Sequence, residues 1–473
     1  MNITPQGKQE EVMALPAKGH IVVLGTAGSG KTTIALLRAQ HLANIPDDGR
    51  VLLVTFNRAL VEYMKGISNS KSTRLVVENY HTFARGYLNS RGKMPYRNGV
   101  LEPDEKTDYI IRAVETLRIM YPSESTFRRP IKFFVDEITF IQRFGFNSLD
   151  TYYEAERIGR GSANIKRENR KWIFAVYEKY IELRKEAGSQ YDWDDLALYV
   201  YNELQADNSE RLYKHIIIDE GQDFSPMMIK SLVSAASVEG SFTFFGDVAQ
   251  QIYGSRLSWR DSGVDASKIW RFDRNYRNPA TITAFAKDIT LSEYWQKDND
   301  MVEATAHVAE GPKPILAEFS SVQREMEWVV KRAIEISKTS STVIICRSRS
   351  DIDDFMKLFS SEGYDAIEID RKTPGFAHMK QVYLATYHAA KGLEFDNVFI
   401  PFLADDKLPD PATVRNAVSK ENVYSDEIKL LYVAATRSKY GLYITYNGSL
   451  SPLFPENSDN FVFYSEENLY ERI

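Results

Sequence analysis

Short, mostly apolar runs recur along this chain, each closed by a polar or glycine-rich segment. Ile21-Val22-Val23-Leu24, His215-Ile216-Ile217-Ile218 and Phe242-Thr243-Phe244-Phe245 lie in the first part; Pro314-Ile315-Leu316-Ala317, Thr342–Cys346 and Tyr364–Ile369 lie in the second. Runs this short, with little polar alternation, read as strands buried on both faces, the signature of a parallel sheet. Helical spacing predicts a helix from Thr33 to Leu37 directly after the first run, and further helices over Ser321–Ile336 and Ser350–Ser360. The stretch from about 90 to 190 is largely helical by the same criterion. Strands alternating with helices in two blocks imply an α/β protein. The acidic, turn-rich stretch after Glu456 reads as a tail or a sheet edge. There is no internal repeat or low-complexity segment.

Bulk properties narrow the class. A length of 473 residues allows about three domains. With 43% hydrophobic and 26% charged residues the composition is that of an ordinary globular protein. No apolar run is long enough to cross a membrane, and no secretory leader is read. The single cysteine, Cys346, excludes an intrachain disulfide and a cysteine-rich zinc site, and fits a reducing cytoplasm. The net charge of −6 argues against a non-specific nucleic-acid coat but not against a local basic stripe. From Arg157 to Lys171 such a stripe occurs: Arg157, Arg160, Lys166, Arg167, Arg170 and Lys171 stand against only Glu168.

The chemistry starts at Gly25-Thr26-Ala27-Gly28-Ser29-Gly30-Lys31-Thr32, which fits G-x-x-x-x-G-K-[ST] between a strand and a helix. Glycines let backbone N–H groups approach phosphates, and the helix N-terminus adds its positive end. Lys31 would reach the β- and γ-phosphates, and the Thr32 hydroxyl would sit on Mg²⁺. Two acids, Asp219 and Glu220, follow the strand at His215–Ile218. Asp219 is expected to hold Mg²⁺ and Glu220 to orient or deprotonate the attacking water. A third strand opens into Gly246–Tyr253, where Gln250 could bond both γ-phosphate and water. Arg277 and Arg437 are candidates for balancing charge on the γ-phosphate oxygens.

Taken together these stretches resemble the superfamily 1 DNA helicases of the UvrD/Rep/PcrA group, in that family's motif order. Gly25–Thr32, Thr55–Ala59, Asn79–Phe83, Tyr191–Leu196, Asp219–Asp223, Gly246–Tyr253, Asn275–Arg277, Thr386–Phe395 and Tyr432–Arg437 carry the likeness. The resemblance implies an α/β fold of two RecA-like P-loop NTPase lobes with a mostly helical insertion in the first. It divides the chain into a first lobe (1–90 and 190–274), the insertion (91–189) and a second lobe (275–473). It implies ATP and Mg²⁺ bound between the lobes, with Gly25, Thr26, Ala27, Gly28, Ser29, Gly30, Lys31, Thr32 and Thr33 on the nucleotide. Gln9, with Gln6 as rival, would read adenine, Tyr276 would stack on it, and Glu394 would lie near the sugar. Phe56, Asn57, His81, Thr82, Phe83, Tyr253, Trp259 and His388 would contact single-stranded DNA, or a junction of single and double strands. The implied activity is translocation with 3′-to-5′ polarity. RNA as substrate stays open.

Three departures matter. Thr33 stands where the family has an adenine-packing arginine, leaving ATP against GTP open. Trp259 is displaced from the family's Trp-Arg-Gly. Only 108 residues separate Arg277 from Thr386, where full-length members carry a large subdomain. Such a chain is expected to translocate well and to unwind poorly alone, with a partner such as a nuclease. A regulatory ATPase subunit controlling that partner is the alternative, as in Gabija-type anti-phage pairs, which the size also resembles.

Overall fold

A computed structural model describes residues 5–46, 49–56, 58–67, 72–95, 99–155, 165–247, 259, 261–295, 301–306, 310–369, 380–416, 419–456 and 458–472. The chain begins with α1 (Lys8–Met13), β1 (Gly19–Gly25), α2 (Lys31–Asn44), β2 (Val51–Thr55), α3 (Arg58–Ile67), β3 (Leu75–Asn79) and α4 (Tyr80–Ser90). It then makes an excursion through β4 (Val100–Leu101), α5 (Pro103–Met120), α6 (Ile131–Phe144), α7 (Leu149–Glu154), α8 (Arg170–Glu186) and β5 (Tyr191–Asp192). It returns as α9 (Leu196–Ala206), β6 (Tyr213–Ile218), α10 (Pro226–Ala235), β7 (Ala236–Gly246) and β8 (Ile269–Phe272). The six-stranded sheet formed here has the order β3-β2-β6-β7-β1-β8, and every pairing is parallel.

The second half holds β9 (Arg274–Asn275), α11 (Ala280–Ile289), β10 (Thr305–Ala306), β11 (Ile315–Phe319), α12 (Val322–Ser337), β12 (Thr342–Cys346), α13 (Arg349–Ser361), β13 (Ile367–Glu368) and β14 (Val382–Thr386). It closes with β15 (Phe395–Ile400), α14 (Pro411–Asn416), α15 (Lys420–Ala435), β16 (Ser438–Asn447), β17 (Val462–Ser465) and α16 (Glu466–Arg472). A seven-stranded parallel sheet results, ordered β13-β14-β12-β15-β16-β11-β17. The two sheets are the two RecA-like lobes.

The apolar runs are continuous because both faces of each sheet are covered. Val22 and Leu24 of β1 join Leu52, Val54, Ile216 and Ile218 in one core with α4, α9 and α10, while Ile21 and Val23 join Leu53 and Ile217 against α2 and α3 on the other face. The second sheet repeats this: Val343 and Ile345 face α11 and α15, whereas Ile344 and Cys346 face α12 and α13. This is the period of two of a strand, read on both sides. Helices α5, α6 and α8 build a separate core around Phe133, Phe134, Ile138 and Tyr180.

One expectation changes. The run Tyr364–Ile369 contributes only Ile367–Glu368 to the sheet. Its start is used to end α13: Gly363 sits at φ +71° and Tyr364 N–H bonds back to Phe359 O at 3.0 Å, a glycine-terminated helix end. The stretch after Glu456 forms an edge, with β17 parallel to β11. Between Arg277 and Thr386 the described residues form α11, β10, which pairs with β9, and strands and helices of the second sheet, with no separate subdomain among them.

Candidate active site between the two sheets

Parallel strands deliver all their C-terminal ends to one edge of a sheet, where ligands collect in open α/β folds. In the first sheet that edge carries Gly25 at the end of β1, Phe56 after β2, Tyr80 after β3, Asp219 after β6 and Asp247 after β7. The loop from Gly25 to Thr32 needs its glycines. A Cβ on Gly28, at φ +71°, would fall 2.1 Å from Asn275 Oδ1, and one on Gly25 would fall 2.6 Å from Ser29 Oγ. The loop ends on α2, whose first-turn N–H groups face an anion by default. Lys31 is 7% exposed and donates to Gly25 O at 2.9 Å and Thr26 O at 2.6 Å, with Asp247 Oδ2 at 3.6 Å. Thr26, Ala27 and Ser29 are buried within the loop, and Gly30 and Thr33 are half-buried beside it.

The acids are held apart in character by their neighbours. Asp219 is fully buried; Thr32 Oγ1 donates to its Oδ2 at 2.7 Å, and Oδ1 has no hydrogen-bond partner among the described residues. Burial, reinforced by the charge of Glu220, pushes its carboxyl up to about 7. For Glu220 burial alone would also raise the pKa, but Lys391, Lys31 and Arg437 outweigh it and hold the group below the usual carboxylate range. Glu220 occupies a left-handed backbone conformation at φ 53°, which a non-glycine residue adopts only when its surroundings enforce it. Gln222 supplies part of that enforcement: its Nε2 donates to Glu220 Oε2, and its Oε1 accepts the Asp247 N–H at 2.8 Å. A buried carboxylate oxygen without a partner, next to a threonine hydroxyl, fits Mg²⁺, which takes few protein ligands and fills its shell from phosphate and water. Thr32 and Asp219 are the residues that would hold it.

This arrangement has a pH consequence. An acid whose folded pKa lies above its unfolded value of about 3.9 stabilises the fold while protonated, and that contribution is lost as the pH rises through about 7. Without metal, the wild-type thermal midpoint minus that of Asp219→Asn should therefore fall between pH 5 and pH 8, and Mg²⁺ with nucleotide should restore it most at pH 8. A difference that stays flat with pH in differential scanning calorimetry would show that Asp219 keeps its charge on folding.

From the second sheet, Arg437 follows α15 and is 1% exposed. Its Nε donates to Val433 O at 2.9 Å, and burial lowers its pKa to about 10. Arg277 pairs with Glu394, which also meets Lys439 at 2.9 Å; Arg277 Nε is buried without a partner among the described residues. Burial acting alone would raise Glu394, but Arg277 and Lys439 bring it down to about 2. Lys391 forms a buried ion pair with Asp223, joining the two sheets at the acids. Gln9 is 7% exposed, donates to Ser29 O at 2.9 Å and accepts from Gln6 N–H at 3.1 Å. In this conformation its amide is engaged by the phosphate loop itself. Tyr276 is half-buried and its N–H donates to Gly28 O at 2.8 Å.

A second group lies along the same edge of the first sheet. Phe56 meets His81 edge-on at 5.6 Å, and His81 meets Trp193 edge-on at 5.1 Å. All three are half-buried, leaving ring surface accessible. Trp193 escaped the reading of site residues, although it lies within Tyr191–Leu196; its contact with His81 spans more than a hundred residues of chain. Its loop is fixed by buried charges: Arg184 Nη1 meets Asp192 Oδ2 at 2.7 Å and also pairs with Asp195, while Lys106 meets Asp194 Oδ2 at 2.7 Å. Thr82 and His388 are exposed.

One aromatic expectation needs correction. Phe83 is 5% exposed and packs on Tyr80 and Tyr213 in the core, because α4 turns that face to the sheet. Trp259 is half-buried and packs edge-on against Phe244 at 4.9 Å, with its Nε1 buried. The basic stripe is also partly spent internally. Arg170 donates to the carbonyls of Tyr152, Tyr153 and Ala155 at the end of α7, and Arg167 pairs with Glu154. Asn57, Gln250, Tyr253, Arg157 and Arg160 lie outside the described residues.

Comparison with known proteins bears on this arrangement. Residues 6–275 match the UvrD/REP helicase N-terminal domain, and residues 366–449 match the UvrD-like helicase C-terminal domain. A probable DNA helicase of Mycoplasma pneumoniae is 22% identical over 92% of this chain and 82% of its own length. YjcD of Bacillus subtilis, named as an ATP-dependent DNA helicase, is 30% identical over 56% of this chain but 34% of its own length. A probable DNA helicase II homologue of Mycoplasma genitalium is 24% identical over 73% of this chain and 52% of its own length. The chain thus spans most of the first relative and about half or less of the other two.

Proposed function

The chain belongs to the UvrD/REP helicase family, and from that premise we propose that it is an ATP-driven translocase on single-stranded DNA. The observation that carries this reading is the meeting of phosphate loop, acids and the buried Arg437 between the sheets, with the Phe56–His81–Trp193 group on the same sheet edge. Water attacks the γ-phosphorus of ATP, and the bond to the β,γ-bridging oxygen breaks. Glu220, ionised despite its burial, orients that water and takes its proton. Lys31, Arg277 and Arg437 balance the charge spread over the phosphate oxygens. Thr32 and Asp219 would hold Mg²⁺, which would supply positive charge against the phosphates. Catalysis is mostly positioning plus electrostatics, so closing the lobes around ATP completes the site.

Movement follows from the coupling of the two groups. Asp223, four residues past the metal acid, is tied to Lys391, and Lys391 is three residues past the exposed His388. A strand lying across the Phe56–His81–Trp193 group and His388 therefore feels each opening of the cleft. The polarity is 3′ to 5′, as in the family. A reducing cytoplasm suits the single buried thiol of Cys346.

The test is ATP turnover with and without single-stranded DNA, on wild type and on Trp193→Ala. Stacking is worth about 1–3 kcal/mol per base, so Trp193→Ala should raise the DNA concentration for half-maximal stimulation roughly tenfold while DNA-free turnover stays near wild type. Turnover indifferent to DNA would sink the translocase reading.

A second reading has its own support. Since the described residues between Arg277 and Thr386 are used by the second lobe, duplex opening depends on a partner, and the ATPase serves to control that partner. Strand displacement by the isolated chain would rule this out.

A further inference from the structure

We propose that Asn278 is a positioning residue that sets the arginine Arg437 against the phosphate loop; the inference rests on the reading of Arg437 as a γ-phosphate ligand. The Asn278 carboxamide uses both of its N–H groups on the backbone around Arg437, donating to Thr436 O at 3.1 Å and to Ser438 O. Its Oδ1 accepts from Asn275 Nδ2 at 2.8 Å, and that nitrogen also donates to Thr283 Oγ1 at 3.3 Å. Asn275 Oδ1 in turn accepts the N–H groups of Arg277 and Asn278, both at 3.0 Å, closing residues 275–278 into one tight turn. From the same turn Tyr276 N–H reaches Gly28 O at 2.8 Å, and Asn275 Oδ1 lies where a Gly28 side chain would be.

The whole relay is dry. Asn275 is 2% exposed, Asn278 0%, Thr436 2%, Arg437 1% and Ser438 0%. One short turn therefore touches the first-lobe phosphate loop on one side and the carbonyls flanking Arg437 on the other. Arg277 projects from the turn itself, one residue before Asn278. The amide is used completely, with two donors and one acceptor engaged, so replacing it leaves three buried groups without their partners. Both asparagine side chains are spent on protein groups, so the effect passes through Arg437.

A double-mutant cycle tests this. Asn278→Ala should lower the DNA-stimulated kcat by roughly 30- to 100-fold, the scale expected when a reacting group is misplaced by about 1 Å, while KM for ATP moves by less than about threefold. Added to Arg437→Ala, the same change should cost less than about twofold further, because the group it positions is already gone. A full additional loss in the Arg437→Ala background would overturn the inference and leave Asn278 a structural residue. An Arg437→Ala variant with unchanged kcat would instead overturn the reading of Arg437 itself. Should Asn278→Ala fail to fold, Asn278→Asp asks the same question at constant volume. It keeps the acceptor for Asn275 and regains one donor on protonation, so its kcat relative to wild type should rise as the pH falls; a flat ratio would overturn the proposal.

Discussion

Lys31→Ala should remove essentially all DNA-stimulated ATP turnover, a loss of about 10³-fold or more, as for the loss of a charge-stabilising group in phosphoryl transfer. The side chain is 7% exposed and its ammonium rests on the Gly25 and Thr26 carbonyls. Those contacts hold it at the mouth of the phosphate loop, from which it can swing onto incoming phosphate. The neighbouring cations are engaged elsewhere: Lys391 is committed to Asp223, and Arg277 to Glu394. The loss should be compounded at Glu220, because Lys31 is one of three cations keeping that carboxylate ionised in a buried setting. Removing it raises the acid's pKa, so the residual rate should also shift its pH dependence upward. Steady-state turnover across pH 6–9, beside a thermal midpoint to confirm folding, checks both parts. Turnover within tenfold of wild type would mean that the loop does not hold the phosphates.

The phosphate loop was legible because its constraints are local. Gly25 and Gly28 are demanded by close approach within a few residues or by a positive φ, and the strand before them announces itself by composition. The double-wound sheets were legible for the same reason: residues such as Val22 and Val23 face opposite cores, so a continuous apolar run has only one home in an α/β fold. What stayed hidden is long-range. Lys106 meets Asp194 across 88 positions, and Asn278 meets Ser438 across 160. No spacing rule points from one to the other. Phe83 illustrates the opposite error. Motif position made it a DNA contact, but the next turn of α4 carries Tyr87, stacked on it at 6.5 Å, and the helix buries that face. Aromatic residues near a site divide into platform and packing by which face of the helix reaches the sheet, and that depends on partners distant in sequence. Trp193 fell on the other side of the same division, held outward by a loop whose aspartates are anchored in the helical excursion.

Glu220→Gln should hydrolyse ATP about 10²- to 10⁴-fold more slowly yet bind it about as well as wild type, the range for loss of a general base. The two halves of that outcome come from different parts of the site. Binding belongs to the phosphate loop, Lys31 and Thr32, none of which needs Glu220 for its geometry: Thr32 bonds Asp219, and Lys31 bonds loop carbonyls. Hydrolysis belongs to a carboxylate that Lys391, Lys31 and Arg437 keep charged against the cost of burial. The amide has nearly the same volume and can still accept from Gln222, so the left-handed backbone at φ 53° need not relax. The variant also removes the negative charge that helps raise Asp219, which should then ionise more readily and hold Mg²⁺ at lower pH than in wild type. Equilibrium binding of a fluorescent ATP analogue at pH 6 and pH 8, with single-turnover hydrolysis on the same samples, separates these effects. Tight binding with hydrolysis lost assigns Glu220 to the chemical step. Binding lost along with hydrolysis would assign it to the architecture of the loop, with its strained backbone and its bond to Gln222 serving to hold β6 and β7 in register around the nucleotide.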